Sequence, residues 1–212
     1  MRWCVIGSSS APGNIGSGGD RDYLAAVDVD AEGQQSAPQH FLASELPTFV
    51  AGHEAEASLR WVWHDTALRY PALLRAGVRV ERCYDLRLCH RILSSSGSVK
   101  DKRALLAASS WQVAADPGEP IRTADEPTLF DIAATPRHRT APDTLAEAPA
   151  EFDRQRAALA TATNPGRLSL LLSAESAGAL IAAELSSAGV PWDVEEHDRI
   201  LSEALGPRPP LG

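Results

Sequence analysis

Residues 59–93, LRWVWHDTALRYPALLRAGVRVERCYDLRLCHRIL, constrain the fold more than any other stretch of this chain. LRWVW (59–63) is short, apolar and rich in β-favouring side chains, so it reads as a strand. His64, Asp65 and Thr66 follow and offer side-chain caps for a helix that runs to about Ala76. Gly77 ends that helix. VRVERCY (78–84) then alternates apolar and polar residues, as a half-buried strand does. Asp85 caps LRLCHRIL (86–93), whose leucines and isoleucine recur at helical spacing.

The segments before it extend the same class. RWCVIG (2–7) and YLAAVDV (23–29) read as strands, and HFLASELPTFVAGHEAE (40–56) reads as a helix with Pro47 near its start or a break. The expected order of the first half is β-β-α-β-α-β-α. Between the first two strands, SSSAPGNIGSGGDRD carries Gly13, Gly16, Gly18 and Gly19. Glycines let backbone N–H groups approach phosphate. The spacing, however, fits neither GxGxxG nor GxxxxGK[ST], and a strand follows rather than a helix, so a long hairpin loop is expected.

From residue 112 to 150 the pattern changes. Six of the fifteen prolines fall here and apolar periodicity disappears, which predicts a disordered, Pro-rich linker. One apolar pair, Leu129-Phe130 within DEPTLFD (125–131), stands inside it. Helical patterning resumes with EFDRQRAALATAT (151–163), then NPGR as a turn, LSLLL, and SAESAGALIAAELSSAG (173–189). Asp193 caps a last helix with Glu195 and Glu196 in its first turn, where they favour the helix dipole. Three parts are therefore expected: 1–111, 112–150 and 151–212.

The net charge of −8 argues against non-specific coating of nucleic acid. Its distribution is uneven. Residues 1–110 hold 12 basic and 12 acidic side chains, and the acidity lies in the second half. Within 69–103, Arg69, Arg75, Arg79, Arg82, Arg87, Arg91, Lys100, Lys102 and Arg103 are opposed only by Glu81, Asp85 and Asp101. This cluster is either a solvated surface or a weak DNA contact. The three cysteines, Cys4, Cys83 and Cys89, form no CxxC and no disulfide framework. Cys83, in a strand, and Cys89, on a helix, fit small buried hydrophobes, and a reducing cytoplasm is expected. No leader-like start and no run of about 18 apolar residues is read, so no membrane span is expected. A zinc site from Cys83, Cys89 and His90 lacks the usual spacing and a fourth ligand.

RWVWHDTALRYPALLRAGVRVERCYDLRLCHRIL (60–93) resembles the middle of the 3′–5′ exonuclease domain of family A DNA polymerases. ESAGALIAAELSSAGVPWDVEEHDRIL (175–201) resembles the segment where that family's polymerase region begins. The two occur in the family's order, and the Ala- and Arg-rich, Lys-poor composition suggests an actinobacterial, polymerase I-like version. The resemblance implies an α/β, ribonuclease H-like exonuclease-type domain over 1–111 and the helical start of a polymerase region over 151–212. It also implies a role in DNA replication or repair.

It further implies a site of four carboxylates holding two divalent metals that activate water and stabilise the leaving oxygen. Here the family's pattern is broken. The opening strand has no D-x-E, Arg69 or Tyr70 stands at the second acidic position, and residues 94–111 lack the Y-x-x-x-D motif. Asp85 matches an aspartate that is structural in the family. The polymerase active site would lie beyond the end of this chain. The expectation is thus no catalytic residue, no metal and no cofactor in this chain, with Mg²⁺ implied only for the full-length family. Its role would be as a scaffold or a weak DNA-contacting module through the nine basic residues named above. The alternatives are a metal-dependent nuclease with non-standard ligands and a non-enzymatic interaction module. Glu126-Pro127-Thr128-Leu129-Phe130 resembles the Q-x-x-L-F peptides that bind bacterial sliding clamps, with Glu126 replacing the glutamine, so Leu129 and Phe130 are candidate partner-binding residues.

Overall fold

Alternation of inward side chains along two central strands organises the molecule. In the computed structural model, which describes residues 2–9, 23–56, 59–112, 142–189 and 193–206, β1 (Arg2–Ser9) sends Val5 to one side and Cys4 and Ile6 to the other. Its neighbours do the same. β2 (Tyr23–Val29) pairs antiparallel with β1, with Val5 opposite Val27. β4 (Leu59–Trp63) pairs parallel with β1, with Val5 beside Val62. β3 (Gln39–Leu42) joins β2 antiparallel, and β5 (Cys83–Asp85) joins β4 parallel. The result is a five-stranded mixed sheet in the order β3-β2-β1-β4-β5, in which β2 alone runs against the rest. The chain is mixed α/β.

Helices cover both faces. On one side, α1 (Leu46–Glu54) and α2 (Thr66–Arg75) bury Val50, Tyr70 and Leu73 against Trp61, Trp63 and Cys83. On the other, α3 (Leu86–Ser95), the short α4 (Arg103–Ala107) and α5 (Glu147–Ala160) bury Cys89, Leu93, Leu105 and Phe152 against Val5, Val29, Val62 and Tyr84. The 24-residue α6 (Pro165–Ala188) crosses between them, with Leu172 in one core and Leu180 in the other. α7 (Val194–Leu205) follows and has no buried residue. α5 thus starts inside the stretch expected as linker; it shares one core with the sheet, and α6 shares both.

Three local expectations are corrected. The helix expected over 40–56 begins only at Leu46. Gln39–Leu42 pair instead with β2, Leu24 opposite Phe41, and the Glu45 carboxylate accepts the Leu42 N–H at 2.8 Å to turn the chain into α1. The strand expected over 78–84 shrinks to Cys83–Asp85, because side chains take the backbone groups before it. The Val80 N–H donates to the Tyr70 hydroxyl at 3.2 Å and the Glu81 N–H to Glu54 at 2.7 Å. NPGR is no turn between helices but the start of α6. Asn164 caps it by accepting the Arg167 N–H at 3.1 Å, and Pro165 sits in the first turn, where its missing N–H costs nothing.

α6 is also long and apolar enough, by length and composition, to cross a membrane, with a mean hydropathy of 1.5 in its best window. No such segment was expected from sequence. Its inward side, Leu168, Leu172, Ser176 and Leu180, is packed in this fold on the sheet and its neighbouring helices.

Candidate functional site at the carboxyl edge of the sheet

β1, β4 and β5 are parallel, so their last residues lie along one edge. In open α/β sheets ligands bind outside that edge. Ser8 stands at the end of β1, His64 and Asp65 just past β4, and Asp85 at the end of β5.

Asp85 is fully buried and caps two helices at once. Its carboxylate accepts the Leu88 N–H at 2.9 Å at the start of α3 and the Thr66 N–H at 2.7 Å at the start of α2. Burial pushes its pKa up, and these two hydrogen bonds only partly oppose that. Asp65 caps α2 through the Ala67 N–H at 3.0 Å, and it accepts Nε of Arg87 at 2.6 Å. Arg87 is itself buried, and its backbone N–H donates to the His64 carbonyl at 3.0 Å. The two capping aspartates and Arg87 therefore lock the ends of β4 and β5 to the helices that leave them.

A third carboxylate arrives from far away in sequence. Asp143 accepts an N–H of Arg69 at 2.5 Å and the Ser8 hydroxyl at 2.7 Å. His64 Nδ1 lies 2.8 Å from the same carboxylate, with the ring turned out of hydrogen-bond alignment. Burial would raise the Asp143 pKa. The adjacent His64, the Arg69 charge and the Ser8 hydroxyl outweigh it and hold the carboxyl below the usual range. The backbone fixes this segment as well: the Ser8 N–H donates to the Asp143 carbonyl, and the Leu145 N–H to the Ser8 carbonyl at 2.8 Å. Gly7 permits the approach. A Cβ there would stand 2.6 Å from the Leu145 nitrogen and 2.8 Å from the Thr144 carbonyl carbon.

These facts bear on the sequence-derived residues one by one. Asp65 and Asp85 cap helices as expected, whereas the His64 side chain faces Asp143. Arg69 and Arg87 lie at this edge in largely buried ion pairs. Arg75, Arg79 and Arg82 are exposed at the far end of α2 and beyond it, where Arg79 lies 3.7 Å from Glu184 and Arg82 3.6 Å from Glu81. Arg91, Lys100, Lys102 and Arg103 follow along α3 and the turn into α4. Arg103 pairs with Asp101, while Arg91, Lys100 and Lys102 form no ion pair among the described residues. A run contiguous in sequence is thus spread over separate regions. His90 is buried and paired with Glu151 at 2.7 Å, and no three His, Cys, Asp or Glu side chains among the described residues are grouped to hold a metal. Leu129, Phe130 and the glycine loop lie outside the described residues.

Sequence reading missed Asp143, which it assigned to the linker. One signal was present: Thr144-Leu145-Ala146-Glu147 has the T-x-x-E form that precedes helices, and Thr144 Oγ1 accepts the Glu147 N–H at 3.2 Å.

The donors at this edge do not fit a pair of divalent cations. Asp65 is taken by Arg87, Asp143 by Arg69, and Asp85 by two backbone N–H groups. Two of these carboxylates are already neutralised by guanidinium groups. Compared with known proteins, the chain matches no family model, no curated protein and no solved structure.

Proposed function

We propose that this chain is a non-catalytic, DNA-contacting module built on a ribonuclease H-like, exonuclease-type scaffold, resembling the N-terminal part of actinobacterial, polymerase I-like family A DNA polymerases. The observation that carries the reading is the strand order β3-β2-β1-β4-β5 with β2 alone reversed and a helix after each of β3, β4 and β5. That order and the reversal of β2 support the ribonuclease H-like reading. The carboxyl edge, where such a fold holds its metal carboxylates, carries Ser8 on β1 and salt-bridged aspartates elsewhere. This supports a scaffold that has exchanged metal chemistry for fixed ion pairs. Mg²⁺ belongs, on this reading, to the full-length family and not to this chain.

DNA contact falls to the exposed Arg91 and Lys100 and the half-buried Lys102, which form no ion pair among the described residues, with Arg103 beside them. Cations that replace counterions on phosphate make binding weaken as salt rises. The test is anisotropy of a labelled single strand with the whole chain, because α5 and α6 supply core side chains. Affinity falls with salt, and each contacting cation removed lowers the log–log slope by about 0.7. Salt-independent affinity, or affinity unchanged in R91S/K100S/K102S, refutes the DNA contact. Mg²⁺- or Mn²⁺-dependent shortening of the 3′ end, lost in Asp65→Ala, refutes the non-catalytic part.

A further inference from the structure

We propose that Ser8, His64 and Arg69 form a binding pocket for a phosphate monoester or similar small oxyanion, which the chain keeps closed by seating its own Asp143 carboxylate there. This goes beyond the DNA-contact reading, which uses other residues and a different assay.

The geometry is that of a bound anion. A hydroxyl, an imidazole and a guanidinium from three different elements converge on one carboxylate. The donors are built in rather than laid on the surface: the His64 side chain is 5% exposed and that of Arg69 12%. Their capacity is not filled. Nε of Arg69 is buried and makes no hydrogen bond, and Nδ1 of His64 lies 2.8 Å from Asp143 without meeting hydrogen-bond geometry. A carboxylate has two oxygens in one plane. A phosphate monoester has three terminal oxygens at tetrahedral angles and more charge, so it can engage the groups that Asp143 leaves unmet. The first amides of α2 add nothing here, because Thr66 donates to Asp85 and Ala67 to Asp65. Recognition falls to the three side chains.

The pocket is open to exchange. The Asp143 side chain is 32% exposed, so an incoming anion meets a carboxylate that can swing out while its backbone stays paired with Ser8. Asp143 then acts as a tethered competitor. A short tether gives an effective concentration in the millimolar range, so a free anion must exceed that to displace it. The site is therefore weak in the resting chain and strengthens when Asp143 leaves.

The experiment measures inorganic phosphate binding calorimetrically to the wild-type chain, Asp143→Ala and Asp143→Asn, with circular dichroism confirming the fold. Removing the competitor tightens phosphate binding by about tenfold or more, and adding Arg69→Gln abolishes the gain. A folded Asp143 variant that binds no more tightly than wild type, or a gain that survives Arg69→Gln, overturns the proposal. If neither Asp143 variant folds, the wild-type chain decides. At high phosphate and matched ionic strength its unfolding temperature rises more than that of Arg69→Gln, and equal rises overturn the proposal. A second arm separates two sources of the same chemistry. An oligonucleotide with a terminal phosphate that binds Asp143→Ala more tightly than its hydroxyl counterpart assigns the pocket to a nucleic-acid end. Binding of inorganic phosphate alone assigns it to a free anion. A plain oligonucleotide whose binding is salt-dependent but indifferent to Arg69→Gln speaks only to the earlier reading.

Discussion

Phe152→Ala tests whether α5 belongs to the core of the sheet. Phe152 is 1% exposed. Its ring meets Trp3 of β1 edge-on at 5.6 Å and Tyr84 of β5 at 5.4 Å, and the Arg156 guanidinium lies 5.8 Å from its centroid. It therefore bridges a strand from the middle of the sheet to one at its edge. Truncation removes most of an aromatic side chain from water-excluded surroundings and leaves a cavity between two rings that cannot close without moving strands. The expected loss is about 3–5 kcal/mol. For a chain of this size that is roughly a 6–20 °C fall in Tm. The assay is urea unfolding followed by tryptophan fluorescence, with Trp3, Trp111 and Trp192 replaced by Phe so that only Trp61 and Trp63 report. Trp61 and Trp63 are buried on the opposite face, in the core that contains Tyr70 and Leu73. If both faces unfold together, their transition shifts by the full amount. Should Trp61 and Trp63 report an unchanged midpoint while helicity is lost separately, α5 is an independent unit and the packing argument fails. Leu205→Ala on the exposed α7 is the control and changes stability by less than about 0.5 kcal/mol.

Three further outcomes follow from the carboxyl edge. Arg87→Ala leaves Asp65 buried without its guanidinium and costs about 3–5 kcal/mol in chemical denaturation, whereas Asp65→Asn with Arg87→Met costs less; equal losses refute the pairing argument. Asp143→Asn lowers stability by about 1–3 kcal/mol at neutral pH. Because the folded pKa of Asp143 is depressed, the stability it gives is full above the ordinary carboxylate range and fades as pH falls through the folded value, so the variant and wild type converge in acid; a gap constant with pH refutes this. Gly7→Ala forces a methyl onto the Thr144–Leu145 backbone and costs about 1–3 kcal/mol, read as a fall in Tm; no change means the 143–145 segment is not held against β1.

Features settled by neighbouring residues were legible in the sequence. Asp65, Gly77 and Asp85 fix the ends of α2 and α3 through partners within a few residues, and those boundaries hold. Features settled by distant partners were not. HFLASELPTFV carries a helix-length apolar pattern, yet Phe41 finds Leu24 across an antiparallel pair, and that pairing takes the first turn away from the helix. At the candidate site the same divide appears. The capping roles of two aspartates are local, whereas Arg69 meets Asp143 across 74 positions and Ser8 meets it across 135. Spacing within one segment carries no trace of such pairs, so a basic run that looked like one surface resolves into buried ion pairs and scattered exposed cations.

The order of covering has a consequence for synthesis on the ribosome. All five strands have been made once Asp85 is added, and α1 and α2 can cover most of one face at once, leaving the place that Leu180 of α6 fills. The other face receives α3, but the flank around Trp3, Val27 and Val29 waits for Ala148 and Phe152. At about 5–20 residues per second that wait lasts roughly 3–13 s. For that interval the nascent chain presents an apolar flank to chaperones and to its own copies. Substitutions that weaken α5 lengthen the exposure, so they reduce soluble yield more than their equilibrium stability alone would dictate.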